Sequence, residues 1–297
     1  LPDDLTILGL LSMSDRQVQQ RIQALPVSEG AGVTVYRTIG TPALRHLDPF
    51  LMLDYFGSDD PDKYIAGFPD HPHRGFVTLT YMLDGHMLHQ DSMGNRGDLR
   101  SGGAQWMKAA SGVIHSEMPQ QSEGLMRGFQ LWINLPASEK MTDPVYQEIT
   151  PEAIPVVESA GLRVRLLSGH YGGKEGPIAD PHTHVQYLDV SIDAGHRFSH
   201  HLATNMTSFL FVFEGAVRCS GTSLSHHSLA VLGSGASVEI TAADRAARLI
   251  FVAGLPLKEP IVQHGPFVMT THHEIEQAVS DYRNNRLVQK KAQFAKR

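Results

Sequence analysis

Short apolar runs, each stopped by glycine, proline or aspartate, recur along this 297-residue chain and leave little room for long helices. Residues 34–39, 77–83, 128–134, 162–167, 209–213 and 247–252 are dominated by β-branched, aliphatic and aromatic side chains, which fit a pleated, half-buried surface. Runs this short and this regularly punctuated predict an all-β barrel or sandwich. Part of the pattern occurs twice. TYMLDG at Thr80–Gly85 is echoed by FVFEG at Phe211–Gly215, and GFQLWINLP at Gly128–Pro136 by ARLIFVAGLP at Ala247–Pro256. A duplicated β module follows. Its joint is expected near Pro144–Pro155, where Asp143-Pro144, Thr150-Pro151 and Ile154-Pro155 interrupt any regular element, dividing the chain into units 1–145 and 146–297. Helical spacing is confined to the ends. It appears at Asp15–Leu25, with Val18, Ile22 and Leu25 on one stripe, and behind the possible cap Thr271, where Ile275, Ala278, Val279 and Tyr282 recur.

With 41% hydrophobic residues the chain can bury one large core or two ordinary ones. A formal net charge of −6 argues against a broad basic face for nucleic acid. The basic residues Lys290, Lys291, Lys296 and Arg297 read as the solvated end of a helix. Cys219 is the only cysteine, which excludes an intramolecular disulfide framework and suits a reducing compartment, so a cytoplasmic location is expected. The apolar run Ile7–Leu11 is short and follows Asp3 and Asp4, so no signal peptide is expected, and no run approaches the roughly 20 residues of a membrane span.

Two histidine-containing pairs carry the chemistry. In a strand, residues i and i+2 point to one face, so His71 with His73, and His115 with Glu117, each set two donor groups side by side. If the two strands are neighbours, all four groups converge on one cation. The second half has no equivalent. His200-His201 are adjacent and face opposite ways, His182 and His184 lie before their strand run, and Glu239 has no histidine near it in sequence. A second metal site is therefore not expected.

Several segments together resemble the pirin family, within the cupin superfamily of small β-barrels: DPFLMLDYFG (Asp48–Gly57), GFPDHPHRGF (Gly67–Phe76), TYMLDG, GGAQWMKAASGVIHSEMP (Gly102–Pro119), GFQLWINLP and GPFVMTT (Gly265–Thr271). The resemblance implies two tandem cupin barrels, a bicupin, with a few short helices including a C-terminal one. It assigns His71, His73, His115 and Glu117 as ligands of a single iron-type metal in the first barrel. One departure is Val77, where many pirins have glutamate; strict alternation predicts Val77 on the ligand face with His71 and His73.

Three imidazoles and one carboxylate make a donor set of intermediate hardness with no thiolate. Iron(II) is the expected ion, and nickel, manganese, cobalt, copper and zinc are also compatible. One carboxylate against a divalent ion leaves a local charge of about +1, which favours an anionic ligand. Phe50, Met52, Phe56, Trp106, Met107, Phe129 and Trp132 are candidates for an apolar, aromatic lining, and Gln105, Arg74 and Lys108 for polar contacts. The resemblance implies quercetin 2,3-dioxygenase activity on a flavonol with dioxygen, with Glu117 as proton acceptor. The alternative it implies is a non-enzymatic, iron-dependent module that binds a transcription factor or metabolic enzyme.

Overall fold

Along strand Thr207–Glu214, alternation leaves neither face polar. Phe209, Phe211 and Phe213 point one way and Leu210 and Val212 the other, and all are buried. Such a strand needs a packing partner on each side. The computed structural model, which describes residues 15–289, supplies both: a four-stranded sheet closes over one face, and the other half of the molecule covers the opposite one.

Each half pairs a seven-stranded sheet with a four-stranded sheet, giving the two tandem barrels expected from the repeat. In the first half the larger sheet runs, in spatial order, Val145–Ile149, Ala104–Lys108, Phe76–Asp84, Met126–Asn134, Phe50–Ser58, Val33–Arg37 and Leu25–Glu29. Its partner runs Phe68–His73, Val113–Pro119, His86–Asp91 and Arg96–Arg100. The second half repeats the arrangement around Thr207–Glu214 and Ala247–Gly254, opposite a sheet containing Arg197–His201 and Ser237–Ala242. The chain crosses between halves in the proline-marked segment. Val145–Ile149 still pairs with Ala104–Lys108, and Val156–Ser159 opens the second sheet.

The large sheets pack face to face. Val77, Leu79, Tyr81, Phe129 and Leu131 from the first meet Phe209, Phe211, Ile250 and Val252 from the second in one core. Ring contacts stitch it together: Phe50 meets Phe209 edge-on at 5.1 Å and Phe129 meets Phe211 at 5.5 Å.

The expected N-terminal helix is instead a strand, Val18–Gln23, antiparallel to Ser228–Leu232 in the second half. Leu25–Glu29 then joins the first half. Ile22 and Ala24 are both buried, a strand alternation that the helical stripe concealed, and the open edge of Ser228–Leu232 offers the backbone partners. Just upstream, the buried Arg16 donates to the carbonyls of Met206, Gly233 and Ala203 at 2.7–3.0 Å, pinning the segment there.

At the other end, a helix does form at His272–Arg283, with Thr271 and Glu274 in a reciprocal capping box. It packs through Ile275 and Ala278, while Tyr282 is largely exposed. The helix and the preceding hairpin, Val262–His264 with Phe267–Met269, reach back to the first half. Arg74 donates to Asp281 at 2.9 Å, and the buried Lys140 donates to Gly75, Asn134 and Val268 at 2.6–3.1 Å. No helix among the described residues is long and apolar enough to cross a membrane. The basic residues Lys290–Arg297 and the run Ile7–Leu11 lie outside the described residues.

Candidate metal centre

Two adjacent antiparallel strands bring the histidine pairs together. Phe68–His73 lies beside Val113–Pro119, with His71 opposite His115 and His73 opposite Val113. The imidazoles of His71, His73 and His115 stand 4.3–4.9 Å apart, centroid to centroid. One ring nitrogen from each lies within 4.8 Å of the others. Against Phe68–His73 the register slips between His115 and Glu117, so Glu117 lies across from Phe68; against His86–Asp91 the register is regular and Glu117 lies across from His89. Glu117 consequently forms a second group, with His89 and His115, that meets the same 4.8 Å spacing. His115 belongs to both groups, which are the only such clusters among the described residues.

The electrostatics favour neutral rings. Burial, followed by the neighbouring imidazoles, pushes His73 and His115 well below the ordinary histidine range. His71 Nδ1 lies 2.8 Å from the Pro69 carbonyl oxygen, while buried His73 Nδ1 and His115 Nε2 have no hydrogen-bond partner. Unpartnered nitrogens this deep are costly unless something binds them. Clustered neutral imidazoles with open nitrogens beside a carboxylate fit a divalent cation. Glu117 is itself braced: Gln105 donates to Oε1 through a short contact and Thr80 reaches the same oxygen at 3.1 Å. Its Oε2 has only a 3.5 Å contact from Gln130.

His71, His73 and Glu117 line a cavity of about 570 Å³, with His115 fully buried behind them. Met52, Phe56, Met87 and Trp132 form apolar wall, Gln130 and Thr80 add polar groups, and Gln263, Gly265 and Pro266 come from the late hairpin. Of the aromatic candidates, Phe50, Trp106 and Phe129 go instead to the core between the barrels, and Met107 to a separate small cluster. Of the polar candidates, Gln105 holds Glu117, whereas Arg74 turns away to Ser111 and Asp281 and Lys108 pairs with Glu139. Val77 faces the inter-barrel core, not the histidine cluster. The alternation that predicted otherwise is reset at Gly75, whose φ of +93° ends one strand before Phe76 begins the next.

The principal residue not singled out in the sequence is His89, 1% exposed and in contact with His115. It alternates with Met87 along His86–Asp91, both buried while Leu88 is partly exposed and Gln90 exposed, a pattern that the residue types alone do not show. Also unanticipated is Arg37, which lines the cavity in a two-pronged pair with Asp54 at 2.6 and 2.7 Å and a third contact to Glu29.

A family model described as Pirin matches residues 32–133, and one described as Pirin C-terminal cupin domain matches residues 187–288. Human pirin is 42% identical over 277 residues, covering 91% of this chain and 93% of that protein. A Pseudomonas aeruginosa protein provisionally named a quercetin 2,3-dioxygenase is 47% identical, covering 87% of this chain and 93% of its own length. Among solved structures, a quercetin 2,3-dioxygenase from Acinetobacter baumannii superposes with a TM-score of 0.86 at 31% identity, over 92% of this chain and 99% of that one. Both halves match in sequence and the whole superposes in space: the chain belongs to the pirin family, with two tandem cupin domains.

Proposed function

We propose that this chain is a metal-dependent dioxygenase that opens the central ring of a flavonol with dioxygen and releases carbon monoxide. In this reading His71, His73, His115 and Glu117 hold one divalent ion, iron(II) first among the candidates. The observation that carries it is the convergence of open, neutral imidazoles and a braced carboxylate on an apolar cavity. The cavity's size falls within the range for small-molecule sites. Proteins bearing the quercetin 2,3-dioxygenase name are similar to this chain in sequence and in structure.

A bound divalent cation would supply Lewis-acid and one-electron chemistry at this position. The protein's own contribution is orientation and proton handling. Met52, Phe56 and Trp132 offer faces for a flat aromatic molecule and keep water from it, while Gln130 and Gln263 provide hydrogen bonds at its edges. Glu117, with Oε1 held by Gln105 and Thr80, has Oε2 left to accept the proton of a substrate hydroxyl.

Oxygen uptake and carbon monoxide release, measured against a panel of flavonols, test the reading directly. Glu117→Gln is expected to lower turnover by about 10²–10⁴-fold while the protein still retains some metal. Wild-type oxygen consumption by that variant would remove Glu117 from the proposed role.

A further inference from the structure

We infer that His89 is a positioning residue which, with Asp91, fixes the tautomer of His115 so that His115 presents a bare Nε2 to the metal. The metal part of this inference rests on the reading above; the tautomer does not.

The Asp91 carboxyl receives the backbone N–H groups of Met93 and Asn95 at 2.8 and 3.0 Å and the Asn95 amide at 2.9 Å. Three N–H groups aimed at one carboxyl favour its ionised form. An ionised carboxylate has no proton to give. His89 Nε2, 3.2 Å from Asp91 Oδ2, must therefore carry a hydrogen and donate it. In its neutral form His89 then has only a lone pair on Nδ1. Facing that lone pair at 3.3 Å is His115 Nδ1, so His115 is the donor across this contact. With its single proton on Nδ1, His115 has a lone pair on Nε2, the buried atom that no protein group satisfies.

The same outcome is reached at His71 with a different partner. The Pro69 carbonyl can only accept, so it holds the proton on His71 Nδ1 and leaves Nε2 bare. These proton positions also separate the two overlapping clusters. His89 spends one nitrogen on Asp91 and the other on His115, so it is not a ligand, and Glu117 joins the centre through its proximity to His115.

Tyr146 keeps the brace flat. Its ring stacks on His89 at 4.5 Å with planes 16° apart, and its hydroxyl reaches Gln105 Oε1 at 3.4 Å. Gln105 in turn donates to Glu117. One aromatic side chain from the edge strand Val145–Ile149 thereby contacts the supports of both an imidazole ligand and the carboxylate ligand.

Long-range ¹H–¹⁵N correlation spectra of metal-free, histidine-labelled protein above pH 7 should find the proton on Nδ1 of His115 and on Nε2 of His89. A proton on Nε2 of His115 overturns the inference, and this measurement needs no variant to fold. In the metal-binding arm the probe is cobalt(II), competed against a chelator. His89→Leu, which removes the acceptor, should weaken binding by about 10–100-fold and alter the cobalt absorption spectrum. His89→Asn places an amide oxygen near the position of Nδ1 and should recover most of the affinity. Unchanged cobalt binding in His89→Leu overturns the positioning role. No cobalt uptake by the unsubstituted protein, with His115 in the expected tautomer, overturns the metal reading and leaves the proton arrangement standing.

Discussion

The two barrels share a strand plan and differ in what they enclose. In the first, the inward positions of three neighbouring strands are Met52, Asp54 and Phe56, then Gln130 and Trp132, then Thr80, and they surround a cavity. At comparable places in the second stand Leu210, Val212, Leu249 and Phe251, packed with Leu188, Val190 and Phe198 into an apolar core whose buried polar groups include His200 bonded to Gln186. The outward positions, by contrast, are apolar in both, because each sheet must cover the other. Duplication thus preserved the face that joins the halves and let the inner faces diverge. A barrel filled with hydrocarbon has no room for a ligand; one lined by histidine, glutamate and glutamine cannot be stabilised by packing alone. We read the second barrel as the support for the first.

The sharpest way to break this comparison is to hollow out the second barrel. Phe251→Ala should cost about 3–5 kcal/mol, read as a fall in the urea midpoint, because its ring is fully enclosed. Trp132→Ala in the cavity wall should cost less, about 1–2 kcal/mol, since part of its ring already borders open space. Equal losses would mean that the cavity wall is packed as tightly as the second core.

Metal supplies the next largest effect. At a free concentration 100 times the dissociation constant, a bound ion should add about 2.7 kcal/mol to stability against unfolding. His115→Ala should abolish this gain and His200→Ala should leave it intact, as measured by thermal midpoints with and without chelator. A gain that survives His115→Ala would place the ion elsewhere.

The smallest effect concerns the buried histidine of the second barrel. His200 bonds Gln186 at 2.7 Å, and burial, followed by His170 and His201, pushes it down to about 4. Between about 4 and 6.5 the unfolded chain therefore binds a proton that the folded chain does not. His200 contributes its full stability above 6.5 and loses it as pH falls through 4. His200→Gln should flatten that part of the stability profile, measured by urea unfolding at stepped pH. No change in slope would show that His200 stays as accessible to protons in the fold as in the open chain.

His71 with His73, and His115 with Glu117, were legible because spacing by two residues on a strand is a local property. The same rule misplaced Val77, since Gly75 breaks the alternation with a backbone conformation that sequence spacing alone does not reveal. His89 was missed for a different reason. Its meaning comes from lying across from Glu117 on a neighbouring strand and from meeting His115, and neither relation leaves a short-range trace. The aromatic candidates divided in the same way. Met52 and Trp132 face the cavity while Phe50 and Phe129, close by on the same strands, face the other barrel. Residues 15–25 satisfied a helical stripe, yet the edge strand Ser228–Leu232 claimed Val18–Gln23 and the first half took Leu25.

The sequence by itself determined the all-β character, the doubling, the capped terminal helix and the pairing of His71 with His73 and of His115 with Glu117. Each of these follows from propensity and periodicity within a few residues. Only the tertiary structure decided which face of each strand looks into a cavity, which histidine braces another, and which end segment crosses to the other half. Those outcomes depend on sheet register and on the meeting of distant surfaces, where burial and unmet backbone hydrogen bonds outweigh local preference.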